Sequence, residues 1–327
     1  MTAKEVTECR ASLGAVQWVA VQTQPLACAR CNLLLTDLTT DPKMSVAQEI
    51  QEIIRELRKS ATVLNFFKLP GVSSWFDLVV VGLGDQAHLN RPKCSSTGGM
   101  LIFLRGRAIC RGAPNPMILV HWKSWKLKRK SIGTNDAEVQ ALVETEDWTR
   151  LLWTDINGAG AHDNSRNLLE ASLDEVQNVP GLLGTDSKGG YDSIIVNESP
   201  PLGLSHTRAA LQTFQLKESL PRCATKLVWL ASDWNLSDAL TKKKWECRES
   251  LDFFLESRVW MLRFDPQIIR SARKERQSPQ KQLSTEAQRS TVSRTHKNFG
   301  VLQYSNSLRI CDHEFNTPDA ISCSGAP

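Results

Sequence analysis

Between residues 76 and 127 three apolar runs follow one another with only short connections, and this limits the fold more than any other stretch. The runs are Phe76 to Leu83, Met100 to Leu104 and Met117 to Trp122. Gly98-Gly99, Gly106, Gly112, Pro114 and Pro116 punctuate them, and the first carries consecutive valines at Val79, Val80 and Val81. Short apolar runs bounded by Gly and Pro read as strands. Connections this short join antiparallel neighbours, because a parallel crossover needs a dozen or more residues.

Downstream the period changes. Residues 135–155 set Ala137, Ala141, Leu142, Trp148, Leu151 and Leu152 on the apolar side of a helix. A polar loop, Asn157 to Asn178, separates it from a fourth strand at Leu182 to Thr185. Thr207 to Leu220 reads as a helix ended by Pro221, and Lys226 to Ala231 as a fifth strand. Asp233 or Asn235 can cap a short helix running through Asp238, and Leu251 to Met261 closes with another helix. The order β-β-β-α-β-α-β-α predicts a mixed α/β layer fold with five strands and flanking helices.

Residues 1–75 read as a small helical layer that needs a partner surface. Ser45 with Gln48 makes a capping-box start, and Val46, Ile50, Ile53, Ile54 and Leu57 keep helical spacing. Residues 264–327 lose their apolar runs. Arg270, Arg273, Lys274, Arg276, Lys281, Arg289, Arg294 and Lys297 outnumber Glu275 and Glu286 there, which predicts a disordered basic tail. A merely solvated tail and a nucleic-acid contact remain equal readings of it. The expected division is a helical segment at 1–75, a catalytic-type domain at 76–263 and the tail at 264–327.

A hydrophobic content of 41% over 327 residues sustains a core across most of the chain, and the net charge of +5 favours a polyanion partner only weakly. No apolar run reaches the roughly 18 residues of a membrane span, so no membrane partner is expected. Lys4, Glu5, Glu8 and Arg10 break any signal-peptide pattern. The nine cysteines, odd in number and scattered, read as reduced thiols of an intracellular protein, with nucleus and cytoplasm both open. Cys28-x-x-Cys31 lacks a second Cys or His pair nearby, so two helical cysteines in an apolar face outweigh a zinc site.

Four carboxylates stand in distinctive settings. Asp85 follows the run Leu78 to Val81, and Glu138 lies on the helix of residues 135–155. Asp186 ends the run Leu182 to Thr185, and Asp238 sits in Asn235-Leu236-Ser237-Asp238-Ala239-Leu240-Thr241-Lys242. Carboxylates brought together suit a pair of Mg²⁺ ions about 3.5–4 Å apart, which activate a water and stabilise the leaving oxygen of an in-line displacement. Mg²⁺ is hard and takes oxygen ligands, with Mn²⁺ as a substitute. Without metal such a cluster repels itself, so at least one carboxyl should titrate high. Trp122, Lys123, Trp125, Lys126, Lys128, Arg129 and Lys130 interleave aromatics with cations, as backbone neutralisation and base stacking require. The same pattern also fits an edge strand and solvated loop with inward Trp side chains. His88 lies close to Asp85 in sequence, but packing is the stronger reading for it; His121, His162, His296 and His313 show no ligand spacing.

The chain resembles the C-terminal end of Ty1/copia-type retrotransposon polyproteins. Gly84-Asp85-Gln86-Ala87 and the Ser96-Thr97-Gly98-Gly99 turn are similar to the start of that family's ribonuclease H. Trp122-Lys123-Ser124 matches its Trp-Lys-Ser-Lys element, and Asp136-Ala137-Glu138-Val139 its Glu-Ala-Glu-Tyr helix. Asp186-Ser187 corresponds to its Asp-Asn/Ser strand end, and Leu236-Ser237-Asp238-Ala239-Leu240-Thr241-Lys242 to its closing Leu-Ala-Asp-x-Leu-Thr-Lys. Ser12 to Ala20 with Thr23-Gln24-Pro25 is similar to the segment ending the family's reverse transcriptase, so the likeness covers residues 10–260.

The resemblance implies a ribonuclease H-like fold, with residues 1–75 a helical remnant of the reverse transcriptase thumb or connection. It implies that Asp85, Glu138, Asp186 and Asp238 hold two Mg²⁺ ions and cut the RNA strand of an RNA/DNA hybrid. A polymerase would be supplied separately, since no Tyr-x-Asp-Asp signature occurs. The chain departs from the family at Ala87, where a second acid is common, and at Val139, where tyrosine follows the Glu; the family's His is not clearly placed, though His206 lies close to it. Two other readings stand beside it: a relic that binds nucleic acid without cutting, and an integrase or resolvase relative. The order Asp-Glu-Asp-Asp favours ribonuclease H over the Asp-Asp-Glu order of integrases.

Overall fold

The computed structural model describes residues 1–59, 64–74, 77–107, 114–131, 133–160, 180–196 and 207–262. The tail at 264–327, His162, His206, His296 and His313 lie outside the described residues. Among those described, seven helices and six strands form a mixed α/β fold. Strands β1 (Leu78–Arg91), β2 (Ser95–Gly106) and β3 (Asn115–Lys126) form the antiparallel meander expected from the three apolar runs. Helix α4 (Thr134–Gly160) leads towards β4 (Gly181–Thr185), which pairs parallel to β1. The short α5 (Lys188–Tyr191) and a π turn at Asp192–Val196 follow. Helix α6 (Thr207–Arg222) then leads to β5 (Thr225–Trp229), parallel to β4.

The sheet order is β5-β4-β1-β2-β3-β6, so six strands replace the five expected. The sixth comes from the segment expected to be all helix. Helix α7 (Glu249–Ser257) stops where Arg258 turns left-handed (φ 59°), and Val259–Trp260 then adds β6 to the edge beside β3. Several other bounds shift. Helix α4 runs on to Gly160, into the stretch expected to open a loop, and Pro221 lies inside the last turn of α6. The Ser96-Thr97-Gly98-Gly99 stretch is no turn; it lies within β2, where Gly98 faces Gln86 and Gly99 faces Asp85.

Side chains alternate across a strand, and β1 uses both faces. Val79, Val81 and Leu83 join a core built from α1 (Ala3–Gln22), α2 (Pro25–Thr40), α3 (Met44–Lys59) and α7. Leu78 and Val80 pack on the opposite face with Trp153 and Ile156 of α4. Helix α3 buries Val46, Ile50 and Ile53 as the spacing predicts, but it starts at Met44, which places Ser45 in the first turn instead of at the cap. The capping box belongs to α1, where Thr2 and Glu5 exchange hydrogen bonds. Cys28 and Cys31 are fully buried in α2, and the Cys28 thiol donates to the Ala20 carbonyl at 3.3 Å.

Polar bonds fasten the helical layer to the sheet. Asn32 donates to the Ser124 hydroxyl at 3.1 Å, and Arg91 to the Thr36 hydroxyl at 2.6 Å. Lys243 pairs with Asp37 at 2.7 Å and Glu49 at 3.3 Å. No helix among the described residues is long and apolar enough to cross a membrane.

Candidate metal centre

The three parallel strands β1, β4 and β5 end on the same side of the sheet, and acids follow from that geometry. Crevices beyond the carboxyl ends of parallel strands are where open α/β sheets take their ligands. Asp85 lies just past the β1 residues paired with β4, Asp186 is the first residue after β4, and the chain leaving β5 reaches Asp238 within nine residues. Glu138 comes from the first turns of α4.

Close backbone approach brings α4 onto β1. An added Cβ at Gly84 would stand 2.8 Å from the Thr145 hydroxyl, and one at Gly82 would collide with that of Thr149. On the opposite face, Gly99 admits the 3-10 turn Leu236–Leu240. A Cβ there would meet the Ser237 carbonyl at 2.9 Å and the Leu240 Cβ at 2.8 Å. Gly99 thus serves packing of the segment that carries Asp238, while Gly98 makes room for the Trp125 ring.

Each acid has a tailored partner. The Thr241 hydroxyl donates to Asp85 Oδ2 at 2.7 Å, and Asn90 in turn donates to the Thr241 carbonyl at 2.9 Å. Gln86, facing the other way along β1, donates to Glu138 Oε1 at 3.2 Å, while Glu138 Oε2 is buried with no hydrogen-bond partner. Asn235 donates to Asp186 Oδ1 at 3.1 Å and to the Gly84 carbonyl at 3.3 Å. The same Asn235 accepts from Ser237 as the cap of the 3-10 turn, as its position before Leu236 predicts. Asp238 forms an ion pair with Lys242 one turn on.

Asp85, Glu138 and Asp186 form a buried acidic triad that could hold a metal ion, each offering an oxygen within 4.8 Å of the others. Asp85 is 3% and Glu138 6% exposed. Burial pushes the Asp85 carboxyl well above the usual carboxylate range, helped by the negative charges of Asp186, Glu138 and Asp238 against the Thr241 bond. Glu138 is pushed up to about 8, by burial first and Asp186 second. Asp186 is also raised by burial, against the bonds from Ser232 and Asn235. The donor set fits a hard cation: it is all oxygen, it is desolvated, and one buried oxygen lacks a proton donor.

The residues expected to touch nucleic acid divide. Trp122 is a correction: it is 5% exposed and its indole N–H donates to the Ala20 carbonyl at 2.9 Å, so α1 covers the ring and no base can stack there. Lys123 lies 5.4 Å from the ring centres of both Trp125 and Trp148 and pairs with Glu144 at 2.6 Å. His121 stacks on Trp148 with ring centres 4.2 Å apart. Lys126, Lys128 and Lys130 are exposed. Arg129 and Lys130 line a cleft of about 200 Å³ with Asp136, Gln140 and Arg208.

Reading the sequence alone missed Gln86, Asn235 and Thr241 as partners of the acids. All three stand in the motifs quoted above, but they gain their roles only through contacts 52, 49 and 156 residues away, respectively.

Comparison with protein-family models gives no match, and no curated protein matches the chain. Among solved structures the chain is similar to a foamy viral protease-reverse transcriptase in complex with an RNA/DNA hybrid, at 14% identity and a TM-score of 0.28. That match covers 63% of this chain and 27% of the viral one. So shallow a likeness fixes neither family nor activity.

Proposed function

We propose that this chain is a ribonuclease H-like phosphodiesterase of Ty1/copia type that hydrolyses the RNA strand of RNA/DNA hybrids. The observation that carries the reading is the convergence of Asp85, Glu138 and Asp186 from three distant stretches into one buried triad. Burying three acids together costs free energy that a core would avoid, and a cation offsets that cost. Asp85, Glu138, Asp186 and Asp238 would hold Mg²⁺, which supplies Lewis-acid stabilisation of the charge developing on phosphate oxygens.

The chain's own groups do the positioning. Gln86 fixes one oxygen of Glu138 and leaves the other open, while Thr241 and Asn235 set the rotations of Asp85 and Asp186. Hydrolysis forms a bond from water oxygen to phosphorus and breaks the bond to the 3′ oxygen, which leaves as a hydroxyl. Arg129, Lys130 and the exposed Lys126 and Lys128 neutralise backbone phosphates beside the site. RNA is told from DNA by its 2′-hydroxyl and by hybrid groove shape. In this reading α1–α3 correspond to the thumb or connection segment of a reverse transcriptase.

One observation favours a second reading, a relic that binds without cutting: Asp238 is engaged by Lys242 and stands outside the triad. Asp186→Asn separates the two. For an enzyme the variant should bind hybrid as wild type does and lose metal-dependent cutting. Wild-type protein that binds hybrid equally with and without Mg²⁺, and never cuts it, would support the relic.

A further inference from the structure

The acids are not equivalent. Among the described residues, the set with oxygens within 4.8 Å of one another contains Asp85, Glu138 and Asp186 but not Asp238. Asp238 is held instead by the Lys242 ammonium across one turn, and the Cys247 thiol also lies against it. That ammonium lies within electrostatic reach of Asp85 and Glu138 as well. It is the cation that the chain itself brings into the cluster. Its side chain is 43% exposed, so the flexible stem can carry the charge out to water.

The geometry points to Lys242 as a built-in cation that holds the place of the second divalent ion, so that the site fills in two unequal steps. This rests on the two-metal reading given above. The triad is ready for a first ion without moving Lys242. Asp238 can join a second set of ligands only after Lys242 releases it. Such an arrangement steadies the metal-free cluster, because one positive charge offsets the repulsion among four acids. It also makes the second ion the weaker one, since it competes with a charge that is already in place.

The test is titration of the full chain with Mn²⁺ alone, following free Mn²⁺ by electron paramagnetic resonance. Wild type, Lys242→Met and Lys242→Arg are compared. Wild type should bind one ion, with a second at least about tenfold weaker, the size expected for a unit charge about 6 Å from a divalent ion at a water-like dielectric. Lys242→Met should tighten the second site about tenfold and leave the first within about twofold, while Lys242→Arg should behave as wild type. In EDTA, Lys242→Met should melt at a lower temperature than wild type. If Lys242→Met loses native circular dichroism, the charge-removing Lys242→Gln takes its place. Two equal sites in wild type, or a second site unchanged by Lys242→Met, would overturn the inference and leave the two-metal reading standing. No Mn²⁺ bound by folded wild type would overturn that reading, and the inference with it.

Discussion

Replacing Glu138 with Gln should stabilise the metal-free protein, and only at high pH. Folding raises this carboxyl from 4.5 to about 8, so the folded state holds a proton that the unfolded chain has already lost between those values. Stability then falls as pH rises through that window, because the folded state binds the extra proton. The contribution is fully present below 4.5 and gone above about 8. At roughly 1.4 kcal/mol per unit, the full shift corresponds to about 4–5 kcal/mol. Asp85 and Asp186 titrate in the same cluster, so removing one charge recovers only part of this, about 2 kcal/mol. Gln keeps the acceptor that Gln86 needs and carries no charge. In a protein of this size the gain is about 4–8 °C in melting temperature at pH 8.5, and about zero at pH 4. Differential scanning fluorimetry in EDTA across that range measures it. An equal shift at both pH values, or destabilisation at pH 8.5, would refute the claim that Glu138 is strained by burial and by its acidic neighbours.

Other consequences follow from the same geometry. Mg²⁺ affinity, measured by calorimetry, should rise between pH 6 and 8.5, because the raised carboxyls of Asp85, Glu138 and Asp186 must lose their protons to bind it. Gly99→Ala should cost about 1–3 kcal/mol in urea unfolding, since its methyl would meet the Ser237 carbonyl at 2.9 Å; an unchanged midpoint would show that the turn yields freely. Trp122→Phe should lower stability by about 1 kcal/mol through loss of the bond to Ala20, and leave hybrid affinity unchanged; weakened binding at full stability would restore a stacking role. Arg129→Gln and Lys130→Gln should each weaken hybrid binding and reduce its salt slope by about 1, whereas unchanged salt dependence would remove the cleft from the interface.

How far the fold was legible follows from where burial is one-sided. The cores of β1, β2 and β3 were visible as apolar runs, but their ends were not. Apart from Leu89, Asp85 to Arg91 and Ser95 to Gly99 are polar or small, Asp85, Gln86, Asn90 and Gly99 among them serving the acidic cluster and the turn packed on it, so they look like loop. The two-residue β6 carries too little pattern to register, and Arg258 gives no glycine signal for the left-handed turn before it. Trp122 and Trp125, three residues apart, fall on opposite faces of β3, and only the helix over one of those faces decides that Trp122 is covered. Three of the four acids named from their settings do meet in one triad, because the neighbouring parallel strands β1 and β4 bring Asp85 and Asp186 together and the first turns of α4 add Glu138. The different state of Asp238 depends on Lys242 folding back along its own turn, which no spacing rule distinguishes from an outward lysine.

The most direct measurement is strand-specific cleavage of a labelled RNA/DNA hybrid with and without Mg²⁺, comparing wild type with Asp85→Asn. The account predicts that wild type cuts only the RNA strand, only with metal, and that Asp85→Asn still binds the hybrid but cuts neither strand. Cutting that survives in Asp85→Asn, or no cutting by folded wild type across a range of Mg²⁺ and Mn²⁺ concentrations, would contradict it.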